Sequence, residues 1–134
     1  MEMPNINLLS ITPIYIALLG ILFVPFTMRV GLYRVKNEII IGDGKDEELI
    51  RRIRGQGNFV ETVPRAVVLL LLMEILGAGD TWLHALCALL VGGRFLHYLG
   101  ITELAPSICR PVGMFATLSI YFVAPIWILM DVLA

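Results

Sequence analysis

No charged residue occurs between Met3 and Met28, and charged residues make up only 16% of the 134-residue chain. Soluble domains carry about a quarter charged and about half apolar residues. This chain is 58% hydrophobic, more apolar surface than a soluble fold of its size can hide. Cys87 and Cys109 form no CxxC pair, and His84 and His97 have no metal-ligand spacing, so no metal is expected and the cysteines read as small apolar fillers. Internal repeats and low-complexity tracts are missing too. Basic residues are absent from the GAGD segment at 77–80 and from both ends of the chain. That last absence carries information about orientation.

Four apolar stretches remain, each long enough for the roughly 20 residues that a bilayer core requires. The first is Met3 to Met28, which lacks a basic leading region and is too long for the core of a cleaved signal peptide. The second, Phe59 to Ala78, contains Glu61, Arg65 and Glu74. Thr81 to Thr102 is interrupted by Arg94, and Pro111 to Met130 carries no charge. The expected fold is all-α, a single integral-membrane four-helix domain over residues 1–134 with helices at about 6–34, 47–76, 81–100 and 110–132. Asp46 suits an N-cap, with Glu47 and Glu48 in the favourable first turn. All ten Lys and Arg then fall in the first or third connection or in the helix halves beside them. The positive-inside rule predicts both termini outside and those two connections in the cytoplasm.

The stretch RRIRGQGNFVETVP at 51–64 is the polar anomaly. On a helix Arg54, Asn58, Glu61 and Arg65 fall at roughly 0°, 40°, −20° and 20°, with Arg51 near 60°. Gln56 and Glu74 fall near 200°, on the opposite face. Glu61 and Arg65 could simply neutralise each other at i, i+4 while the arginines meet lipid phosphates. Against that ladder, ionisable residues inside a span cost about 2.5–3.5 kcal/mol each and usually face a cavity or partner. Arg94 and Arg110 approach the same end, so arginines outnumber Glu61 and suit an anionic ligand.

The spacing Arg54-x3-Asn58-x2-Glu61-x2-Pro64 on the second of four spans resembles the signature of the MAPEG superfamily, the membrane-associated proteins of eicosanoid and glutathione metabolism. The likeness extends over the whole chain, and the texture GDG…IRGQGNFVETVP…GRFLHYLGI is similar to the small bacterial branch. It implies a homotrimer in the bacterial inner membrane, with glutathione as co-substrate near the cytoplasmic face between protomers. A lipophilic second substrate would arrive from the membrane lipid. It further implies glutathione contacts from Arg29, Arg54, Asn58, Glu61, Arg94 and His97, and thiol activation by Arg110. Pro111 and Met114 stand where prostaglandin synthases of the family have serine and tyrosine, which argues against eicosanoid chemistry.

The activity expected from this resemblance is that of a glutathione transferase or peroxidase acting on lipophilic electrophiles or hydroperoxides. Two alternatives stay open at this point. One is a non-catalytic trimer that binds a thiol or lipid. The other is a small four-span transporter, for which Glu74 is the candidate proton-exchanging carboxylate. No nucleic-acid partner is expected.

Overall fold

A computed structural model describes residues 9–134. They form four helices, α1 (Thr12–Lys36), α2 (Glu47–Ile75), α3 (Asp80–Ile101) and α4 (Cys109–Leu133), with no strand among the described residues. The expected all-α bundle is observed. The first helix starts later than the expected residue 6: Leu9 to Ile11 are not helical, and positions 6–8 lie outside the described residues. Pro13 therefore sits in the first turn, where its missing N–H has no partner to lose.

The late start has a second cause on α2. Glu74 Oε1 accepts the Ser10 and Ile11 N–H groups at 2.6 and 2.7 Å, and Oε2 accepts that of Thr12 at 2.8 Å. One carboxylate thus serves three donors at a helix N-terminus, where the dipole also favours negative charge. Glu74 was the residue that a transporter reading needs; here it is a cap supplied by a neighbouring helix. Glu74→Ala should destabilise the protein in detergent unfolding by about 1–3 kcal/mol, since it strips partners from poorly solvated donors. Glu38→Ala, at an exposed turn, is the comparison; equal midpoints would show that the cap contributes nothing.

At the other end Asp46 caps α2, accepting the Leu49 N–H at 2.9 Å, and also accepts the Tyr33 hydroxyl at 3.0 Å. The Leu49 N–H, helped by that hydroxyl, holds the Asp46 carboxyl below its usual range. Midway, Gln56 Nε2 donates to Thr27 Oγ1 at 3.1 Å. The α2 face that carries Gln56 and Glu74 is therefore the face that meets α1, and the two antiparallel helices are in register along their whole length.

Three helices, α1, α3 and α4, are long and apolar enough to cross a membrane. The exception is α2, whose apolar half holds Glu61, Arg65 and Glu74. At about 1.5 Å per residue its 29 residues reach about 43 Å. Its core side chains Phe59, Ala66, Leu70 and Met73 share one cluster with Leu19 and Phe26 of α1, Leu83, Leu86, Cys87 and Leu90 of α3, and Ile120 and Ala124 of α4. Cys87 is fully buried in that cluster, consistent with a filler role.

Candidate functional site

The α3–α4 pair sets the site because its backbones approach unusually closely. A Cβ on Gly100 would lie 2.4 Å from the Arg110 nitrogen, and one on Gly113 would lie 2.3 Å from the Gly93 carbonyl oxygen. Only glycine allows such contact, as small residues generally do between membrane helices. Between them His97 donates from Nδ1 to the Arg110 carbonyl at 2.9 Å, a carbonyl having no proton to give. The backbone of Arg110 is therefore held from one side by Gly100 and from the other by His97.

Arg110 so placed closes a recess of about 310 Å³ whose polar side chains come from three segments. Arg51 and Arg54 enter from α2, Glu103 and Ser107 from the α3–α4 connection, and Ile50 and Ile101 line it with apolar surface. Arg51 pairs with Glu103 at 3.2 Å and with Glu47 at 3.4 Å. Arg54 and Arg110 form no ion pair among the described residues, and both are exposed. Three guanidinium groups thus face one recess against one acidic group. A larger cleft of about 740 Å³, against the last turns of α1, has a mainly apolar lining that includes Arg34 and Glu38, and no such convergence of arginines.

The other expected site residues are distributed differently. Arg94 is 1% exposed and does not line the recess. Its Nη1 donates to Asn58 Oδ1 at 2.6 Å and Thr62 Oγ1 at 3.0 Å, and its Nη2 to the Gly113 carbonyl at 3.1 Å. No carboxylate of the described residues lies within ion-pair distance of it. Arg94 is a cross-link of α2, α3 and α4 that leaves the Asn58 amide nitrogen available. Arg29 donates to the Tyr98 hydroxyl at 3.2 Å and lies 5.6 Å from that ring, outside the recess.

Glu61 and Arg65 remain exposed on the α2 surface, and no ion pair joins them, so the i, i+4 ladder is not formed. Arg65 instead borders an apolar cleft of about 490 Å³ with Pro64, Val68, Leu69 and Tyr121. The polar recess residues that the expected set omitted are Arg51, Glu103 and Ser107. Arg51 was legible as an extension of the stripe, whereas nothing local marks Glu103 or Ser107, which reach the site by way of a turn.

Comparison with known proteins adds to this geometry. The inner membrane protein YecN of Escherichia coli strain K12 is 38% identical over 91 residues, covering 67% of this chain and 69% of that protein. YecN of strain O6:H1 (CFT073) matches with the same identity and coverage. The model of the MAPEG family matches residues 12–130, which takes in α1 to α3, α4 as far as Met130, and the recess between them. The chain is an integral membrane protein and belongs to the MAPEG family.

Proposed function

We propose that this protein is a glutathione-dependent transferase or peroxidase acting on lipophilic electrophiles or hydroperoxides. The observation that carries the reading is the convergence of Arg51, Arg54 and Arg110 on one recess beside Glu103. Glutathione presents two carboxylates and one ammonium, and several arginines with one acidic group complement that pattern. A free thiol has a pKa near ~8.5 and is mostly protonated at neutral pH. A guanidinium within ~4 Å favours the thiolate; a shift of about 2 units takes roughly 2.7 kcal/mol. The thiolate then attacks an electrophilic carbon, forming the C–S bond as the leaving group departs with its electron pair. With a hydroperoxide it attacks the outer oxygen, giving a sulfenic acid and an alcohol, and a second thiol completes the disulfide and water.

In this reading the protein is a homotrimer of four-span protomers with both termini outside. The end of the bundle that holds Arg34, Lys36, Lys45, Arg51 and Arg110 lies in the cytoplasm, where glutathione is available. That α2 crosses the bilayer follows from its packing, since it stays level with α1 from Tyr33 to Thr12. Glu61 is exposed and unpaired among the described residues, and the half-buried Asn58 keeps its amide nitrogen free beside Arg94; both are offered to a ligand shared between copies. Arg94 and His97 act as holders, fixing Asn58 and the backbone of Arg110. A proton-coupled carrier is disfavoured because both oxygens of Glu74 are occupied by backbone donors.

Calorimetry of the detergent-purified protein with glutathione and with its sulfonate analogue tests the reading; absence of heat with either would overturn it. Glu61→Gln should weaken binding about tenfold or more, the worth of one charge-assisted contact of roughly 1.5–3 kcal/mol. Asp131→Asn, at the far end of α4, should leave it unchanged. A Glu61→Gln protein that loses its oligomeric state along with binding would make Glu61 an assembly contact instead.

A further inference from the structure

The connection from α1 to α2 contains three consecutive isoleucines, Ile39, Ile40 and Ile41, in a segment that is otherwise polar. Folding does not hide the last two. Ile40 and Ile41 are 89% and 87% exposed, the highest values among the large apolar side chains described. Nor is this a slack loop. Glu38 takes the left-handed conformation at φ 57°, and the Ile39 N–H returns to the Arg34 carbonyl at 3.0 Å, closing the helix end. Asp43 then accepts the Lys45 N–H at 2.9 Å on its carboxylate and the Asp46 N–H at 3.0 Å on its carbonyl. Ile39 packs toward Gly44, where a Cβ would already touch it at 3.0 Å. A turn fixed by its own hydrogen bonds holds two isoleucines outward.

What lies beside them identifies the medium they meet. The exposed apolar residues Ile14, Leu18, Ile21, Met28, Leu32 and Val35 form one stripe along α1, stepping by threes, fours and their sum. In an integral membrane protein that stripe on a spanning helix is a lipid-facing surface. Its last member, Val35, is 80% exposed and shares the 740 Å³ cleft with Gly31 and Ile40. The apolar surface of α1 therefore reaches the turn through this cleft, which Gly31, Val35, Ile39 and Ile40 line together with the charged Arg34 and Glu38. Arg34 donates to the Gly42 carbonyl, which ties the turn to the last turn of α1, and long basic side chains at a helix end commonly reach headgroup level.

We propose that residues 39–41 form an interfacial anchor, with Ile40 and Ile41 inserted beneath the phospholipid headgroups and an acyl chain lying in the cleft against Gly31 and Val35. The basic groups Arg34, Lys36 and Lys45 are offset by Glu38, Asp43 and Asp46, so the anchor takes a zwitterionic phospholipid and requires no anionic one. The insertion is shallow, on the order of the 5–10 Å at which interfacial apolar faces sit.

Tryptophan reporters test this without reference to glutathione. Ile40→Trp and Ile41→Trp are made separately in a background where Trp82 and Trp127 are phenylalanine, and each is reconstituted into phosphatidylcholine vesicles. Both positions are exposed, so neither replacement disturbs packing. Lipid brominated near the top of its acyl chains should quench both reporters several-fold more than a Lys45→Trp reporter, while aqueous acrylamide quenches them several-fold less. Acrylamide quenching equal to that of Lys45→Trp, with no effect of bromine, would mean a solvated loop and overturn the proposal. Protection from both quenchers would place a protein surface over the turn, a second copy included, and overturn it equally.

Discussion

Arg110→Ala should remove the thiolate signal of bound glutathione, its ultraviolet absorbance at neutral pH, and lower turnover by about 10²-fold. That loss corresponds to a shift of about 2 units in the thiol pKa. The geometry separates this effect from binding. Gly100 and His97 hold the Arg110 backbone, so losing the side chain leaves the α4 start where it is. Arg51 and Arg54 still face the recess from α2, and under the proposed function they would still hold the carboxylates. Affinity should therefore fall less than turnover. Arg110→Lys should recover only part of the signal, because a point charge on a flexible stem replaces a planar fork. A wild-type protein that binds glutathione with no thiolate signal defeats the assignment. Affinity lost in proportion to turnover would make Arg110 a carboxylate clamp.

Gly113→Ala should be the most damaging single methyl group in the chain. The added Cβ would lie 2.3 Å from the Gly93 oxygen and 2.6 Å from the His97 nitrogen, and both are backbone atoms that cannot rotate away. The helices must separate, at a cost near the upper end of the roughly 1–3 kcal/mol usual for overpacking. Separation also lengthens the Arg94 bond to the Gly113 carbonyl and the His97 bond to Arg110. Both stability and glutathione affinity should drop together. Gly92→Ala is the control: it adds the same methyl one residue from Gly93, and its Cβ meets nothing within 4 Å. Its unfolding midpoint in detergent should match or slightly exceed that of the unmodified protein. Equal midpoints for the Gly113 and Gly92 variants would show that the close approach is not a constraint.

The class of solvent, the four helices and the polar face of α2 were legible from the order of residues alone. Each follows from short-range rules: run length against bilayer thickness, a cap at Asp46, and the fixed 100° step that puts Arg54 and Glu61 on one side. The same step put Gln56 and Glu74 on the opposite side, which is where α1 lies. The family match over residues 12–130 agrees with the resemblance that the helix 2 spacing carries.

What those side chains meet depends on how the helices pack. Helical spacing gives the direction in which a residue points and not the partner there, so Arg94 could not be known to take Asn58 and the Gly113 carbonyl. Glu74 pointed away from the stripe in sequence, yet its role depends on three N–H groups more than sixty residues away along the chain. Glu103 and Ser107 join the recess because a turn folds back, and turns carry no period. The α3–α4 clasp rests on distances between backbones, to which Gly93, Gly100 and Gly113 contribute by lacking a side chain, and an absent side chain leaves no pattern to read.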